Sequence, residues 1–230
     1  MLFKKSKKML KTKIEFFYSL LKKQRAIDYK MMSVNRERLF VIPSRTNYIR
    51  INTFELLAAE IIEKKVDGSI AELGVYTGDF ARYMNMAFPE RKLYLFDTFE
   101  GFDDRDIKIE KANSFRNVED DFSNTSAEAV LSRMKTKENC IVKKGWFPDS
   151  LNGLEDKFCF VSLDADLYKP IYSGLEYFYP RLSKGGYILV HDYNNDLYPG
   201  CKQAVREFCA KNSVPYTPMS DSWGSVIIAK

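Results

Sequence analysis

Apolar and polar positions fall in blocks along this chain, and from residue 50 onward the blocks keep a regular order. Two short runs, Ser69–Val75 (SIAELGV) and Lys92–Asp97 (KLYLFD), are apolar almost throughout and read as strands buried on both faces. Phe158–Asp164 (FCFVSLD) and Gly186–His191 (GYILVH) read the same way. Cys140–Lys143 (CIVK) is a weaker strand between the two pairs, and Ser225–Ala229 (SVIIA) closes the series. In the stretches between, apolar residues recur every three or four positions, which predicts helices. These are Thr53–Lys65 with Thr53 as its N-cap, Asp79–Phe88 stopped by Pro89, Ser126–Met134, Ile171–Leu182 and Cys201–Asn212. Strands alternating with helices predict an α/β fold, a doubly wound and mostly parallel sheet covered on both faces. Such sheets bind ligands beyond the carboxyl ends of their strands. Gly74, Asp97, Asp164 and the pair His191-Asp192 all fall there.

Charge divides the chain. Within Met1–Arg25 nine lysines and arginines face a single acid, Glu15, a local charge of +8 against a total of +5. The remainder therefore carries −3, which argues against a nucleic-acid groove as its main surface. The basic segment also carries Phe3, Met9, Leu10, Ile14, Phe17, Leu20 and Leu21 at roughly helical spacing. It reads as a helix packing on the body or on a second subunit, with peripheral contact to a membrane surface as the rival. No run reaches the length of a membrane span, and the start lacks the apolar core and cleavage site of a signal peptide. The four cysteines form no C-x-x-C pair and the chain has one histidine, so a reducing cytoplasm is expected and a cysteine-based zinc site is not.

Glu72-x-Gly74-x-x-x-Gly78 marks a tight turn after the first strand. Glycines there let the backbone approach a ligand closely. The spacing is wider than the G-x-G-x-x-G of dinucleotide enzymes, and the flanking acids Glu72 and Asp79 would repel a pyrophosphate. They would welcome the ammonium of a methionine moiety, which favours S-adenosylmethionine over a nicotinamide. Tyr76, inside the turn, is grouped with this cofactor end. Asp97 lies about twenty residues on, where a carboxylate can accept hydrogen bonds from both ribose hydroxyls. Trp146, in KKGWFPDS, reads either as a neighbour of the adenine or as a hydrophobic plug.

The segment FVSLDADLYKP brings Asp164 and Asp166 to the rim, two apart and so on one side. Paired carboxylates at a rim hold a hard cation or divide into ligand and base. With Asp192 on the next strand end, Asp164 would complete an oxygen-rich Mg²⁺ site. His191, the only histidine, adjoins it. Phe102, Tyr168 and Tyr193 are candidates for shaping an acceptor pocket.

Taken in order, ELGVYTGDFA, FDTFEGF, KGWFPDS, SLDADLYKP and GGYILVHDY resemble the macrocin O-methyltransferase family over roughly residues 51–230. The resemblance implies a Rossmann-like fold with a seven-stranded sheet. It also implies methyl transfer from S-adenosylmethionine to a hydroxyl, usually of a sugar, with Mg²⁺ assistance. By motif, Glu72, Gly74 and Gly78 would line the methionine end and Asp97 would hold the ribose. Asp164 and Asp192 would bind metal, and Asp166 would be the general base. Residues 1–50 match nothing by motif; in relatives that region supports subunit contacts and covers the site, so a homo-oligomer is expected.

One departure stands out. Family members often carry two acids before the tyrosine of the last motif, where this chain has His191-Asp192-Tyr193. The exchange would weaken a Mg²⁺ site, favour a softer ion such as Mn²⁺, or dispense with metal and leave His191 as base. The expectation is a retained but altered site of Asp164, His191 and Asp192. Rival functions are a catechol-like O-methyltransferase acting on a phenol and a non-catalytic protein docking through its basic head.

Overall fold

The structure, a computed structural model, describes residues 48–115 and 121–230. Expectations for the basic segment lie outside these residues. A mixed seven-stranded sheet carries the site, in the order β3-β2-β1-β4-β5-β7-β6. Its first five strands in chain order are β1 (Ser69–Leu73), β2 (Leu93–Asp97), β3 (Cys140–Lys144), β4 (Phe158–Leu163) and β5 (Leu182–Val190), all parallel. The two-residue β6 (Thr217–Pro218) and β7 (Val226–Ala229) finish the sheet antiparallel. Every residue of β1 and β4 is buried, as continuous apolar runs in a covered parallel sheet should be.

Helices fill both faces: α1 (Tyr48–Glu63), α2 (Ala81–Ala87), α3 (Asp104–Ala112), α4 (Ala127–Ser132), α5 (Tyr168–Arg181) and α6 (Pro199–Asn212). Two core clusters result. One gathers Phe96, Phe158, Phe178 and Phe208, and the other gathers Phe54, Ile61, Met84 and Phe160. The four cysteines are free. Among the described residues no helix is long and apolar enough to cross a membrane.

The structure corrects the expected elements in three places. The first helix already includes Tyr48, ahead of the predicted cap Thr53, and Arg50, Ile51 and Asn52 are buried on it. Secondly, α3 was missed altogether. Its buried residues, Asp106 and Glu110, are acids one turn apart, so no apolar stripe announced it. The cap is ordinary: Asp103 accepts from the Arg105 backbone N–H at 2.9 Å. Lastly, the two residues of β6 are too few to show a period.

Hydrogen bonds beyond the strands align the rim. Gly74 N donates to Phe96 O, Asp164 N to Leu73 O and His191 N to Leu163 O, all at 2.8–2.9 Å. Glycine is required at 74, where φ is +85° and a Cβ would stand 2.2 Å from the Asp164 carbonyl oxygen. The close passage of the β1 and β4 ends thus depends on one missing methyl group.

Candidate functional site

A cavity of about 570 Å³ opens at this rim, within the range of small-molecule sites. Of the residues singled out from sequence, Glu72, Gly74, Tyr76, Asp97, Trp146, Asp164, Asp166, His191 and Asp192 all line it. Gly78 does not. It sits at φ +76° against Val130 and Met134, so its missing side chain makes room for α4 instead of a ligand. Phe102 lines the cavity, whereas Tyr168 and Tyr193 turn away to hydrogen-bond Glu207 and Tyr216. Tyr198, Leu197 and Trp223 take the wall positions expected of those two tyrosines.

Glu72 is 1% exposed and its Oε2 has no hydrogen-bond partner. Burial, then the nearby Asp164 charge, push its carboxyl well above the usual range. Asp79, the other acid of the turn, is largely exposed and ion-paired with Arg133 and Arg82. Both acids line the cavity, but Glu72 alone of the two is buried. Asp97 accepts backbone N–H bonds from Val75 (2.7 Å), Tyr76 (2.8 Å) and Phe99 (2.7 Å). Three donors hold the turn around this carboxylate and leave part of its acceptor capacity, about four lone-pair sites, open to the cavity. Trp146 donates its indole N–H to Asp106 Oδ2 at 3.0 Å, with the Arg105 guanidinium 3.9 Å from its ring centre. The plug in that segment is Phe147, stacked on Phe178.

At the reacting end, His191 Nδ1 stands 2.8 Å from Asp164 Oδ1 and 2.5 Å from Asp192 Oδ2. Asn195 Nδ2 donates to Asp192 Oδ1 at 2.6 Å. The second oxygen of Asp164 accepts from Arg50 at 2.9 Å. Burial opposes ionisation of Asp164, but Arg50 and then His191 hold its carboxyl far below the usual range. Burial and the Arg50 charge pull the imidazole down, yet Asp164 and Asp192 win and lift it to about 9. Its Nε2 is buried without a hydrogen-bond partner, 4.0 Å from Asp221 Oδ2.

One atom each from Asp164, His191 and Asp192 lies within 4.8 Å of the others, so the three donors fit a divalent cation. A ligating Nδ1 would leave Nε2–H facing the Asp221 carboxylate, the usual outer partner of a metal-bound imidazole. Asp166 and Asp192 both adopt left-handed backbone, φ +58° and +59°. Non-glycine residues held there cost of order 1–3 kcal/mol and cluster at functional sites.

Arg50 and Asp106 were missed from sequence. Arg50 left one weak signal, a charge between two isoleucines on a helix. Asp106 left none, since its helix has no stripe.

The chain is similar to known proteins. A family model described as Macrocin-O-methyltransferase (TylF) matches residues 4–225. The demethyldecarbamoylnovobiocin O-methyltransferase of Streptomyces niveus is 28% identical over 181 residues, 70% of this chain and 66% of that protein. An O-methyltransferase of Streptomyces olivaceus that acts on the 4′-position of a dimethoxyrhamnosyl tetracenomycin is 25% identical, covering 76% of this chain and 70% of that one. The chain thus spans about two thirds of the length of the curated relatives it matches. The solved structure of the O-methyltransferase NovP superposes with a TM-score of 0.65 at 23% identity, over 80% of each chain, and bears out the Rossmann-like fold.

Proposed function

This chain belongs to the macrocin O-methyltransferase family, and on that premise we propose that it methylates a hydroxyl of a sugar carried by a small molecule, using S-adenosylmethionine. The observation that carries this reading is the single cavity joining Glu72, Gly74 and Asp97 to Asp164, Asp166 and Asp192. The Streptomyces olivaceus relative acts on a rhamnosyl-bearing compound, which supports a saccharide acceptor over a free phenol.

The cavity suits the donor. Its glycine cradle and the unpartnered Glu72 Oε2 would receive a methionine ammonium, and Asp97 a ribose hydroxyl. Trp146 and Asp106 would border the adenine. When bound, S-adenosylmethionine supplies a methyl group on a cationic sulfur. A divalent cation held by Asp164, His191 and Asp192 would lower the acidity barrier of an alcohol beside it.

The protein does the rest. Asp166, on a strained backbone at the β4 rim, would take the proton of the acceptor hydroxyl as the oxygen–methyl bond forms and the sulfur–methyl bond breaks, its electron pair leaving the donor a neutral thioether. Leu197 and Trp223 give the cavity an exposed apolar lip against which the acceptor's aglycone rests. Holding acceptor and donor in line replaces a bimolecular encounter, a contribution on the order of 7–11 kcal/mol.

Calorimetry with S-adenosylmethionine tests the first half: absence of binding would end the reading. Asp166→Asn tests the second. Donor affinity should stay within about twofold while turnover falls by about 10²–10⁴. Near-normal turnover would remove Asp166 from the base role.

A further inference from the structure

Arg50 reaches the cavity from the first turn of α1 and is 3% exposed. Its guanidinium lies 4.1 Å from the Phe80 ring centre. Nη1 donates to Asp164 Oδ2 at 2.9 Å and Nη2 to Ser162 Oγ at 3.1 Å. Those bonds use two of the five N–H donors of an arginine, and Nε is buried without any partner. Native interiors rarely leave a charged donor in that state without a water, an ion or a ligand to complete it.

Its neighbour supplies the complement. Glu72 stands in register with Ser162 across β1 and β4, so the serine that receives Arg50 also flanks Glu72. Glu72 Oε2 is the second buried polar atom left open in this corner. One patch of the sheet therefore presents an open cationic donor beside an open carboxylate acceptor. An α-amino acid head carries the matching pair, a carboxylate and an ammonium.

We infer that Arg50 is the anchor for the α-carboxylate of the methionine moiety of the donor, and that with Glu72 it reads the two charges of that group as a unit. This inference rests on the methyl-donor reading above. Balancing Asp164 alone would not need an open Nε, since His191 already faces the other oxygen of that carboxylate. The cavity's other arginine, Arg82, also leaves a buried Nε without a partner, but its side chain is partly exposed and engages Asp79 at 3.8 Å and the Tyr83 hydroxyl at 3.2 Å, which makes it the comparison for Arg50.

The test uses two ligands that differ only in this carboxylate, S-adenosylmethionine and decarboxylated S-adenosylmethionine. Calorimetry on the full chain should show the wild type preferring the carboxylated donor by about tenfold or more, the worth of a charge-assisted hydrogen bond. Arg50→Met should bring both ligands to the same, weaker affinity. Arg50→Lys should restore part of the preference, and Arg82→Met should leave it intact. A purely structural role for Arg50 would weaken both ligands alike and leave their ratio unchanged, which would overturn the inference. Equal affinities in the wild type would overturn it too. Wild-type binding of neither ligand would instead remove the methyl-donor reading beneath it. Arg50→Lys keeps a cation in place, so the comparison survives if Arg50→Met fails to fold.

Discussion

His191 puts one imidazole where an oxygen donor would make the cluster harder and more negative. Two carboxylates and one nitrogen suit ions that tolerate nitrogen ligands, Mn²⁺ ahead of Mg²⁺. Chelation with EDTA should therefore lower turnover by about tenfold or more, with Mn²⁺ restoring it at lower concentration than Mg²⁺. His191→Asp should reverse that preference, with bound metal measured by mass spectrometry as the second readout. Activity indifferent to EDTA would take the metal out of the reaction and leave Asp166 as the group that accepts the proton, since His191, lifted to about 9, already carries one near neutral pH. The acids of this cluster were legible because each closes an apolar run, and a strand end in an open sheet is where chemistry sits. Arg50 was not legible. What makes it part of the site is a 2.9 Å contact with a residue 114 positions away, and no local pattern encodes that.

At the scale of elements, α1 couples stability to the site. Phe54 is fully buried on it, with ring centres 4.8 Å from Phe160, 5.2 Å from Phe80 and 6.3 Å from Phe88. Phe80 in turn lies against the Arg50 guanidinium. Phe54→Ala should reduce the free energy of unfolding by about 3–5 kcal/mol, measured by urea titration. Donor affinity should fall with it, because the helix that loses its packing also positions Arg50. Full donor affinity in a destabilised variant would show that the two are separate. This helix could be read from its stripe, though its start could not. Its first turn spends two inward positions on Arg50 and Asn52, which a search for apolar periodicity scores as solvent-facing. The same blindness hid α3, whose inward face is Asp106 and Glu110. There Glu110 accepts from the Tyr168 backbone N–H at 2.7 Å, at the start of α5. Burial pushes the Glu110 carboxyl above its usual range and the Tyr168 N–H opposes that shift, so this inward face is polar and shows no apolar period.

For the whole molecule, sheet order decides which strand ends meet: β1 lies between β2 and β4, and β5 follows β4, so the rim brings the cofactor motifs to one side and the acids to the other. The chain's charge has a separate organisation, +8 within Met1–Arg25 and −3 over the remainder. A basic, intermittently apolar segment on a chain with an acidic remainder favours association with a second copy. Removing Met1–Arg25 should then lower the solution mass measured by light scattering to that of a single chain, leaving donor affinity within about twofold. The contact should weaken as salt rises from 0.1 to 1 M, because the screening length falls from about 10 Å to about 3 Å. The alternative is an anionic membrane surface, which the same two proteins distinguish. Salt-sensitive co-sedimentation of the full chain with phosphatidylglycerol vesicles, together with an unchanged mass after the deletion, would make the segment a peripheral anchor instead of a subunit contact.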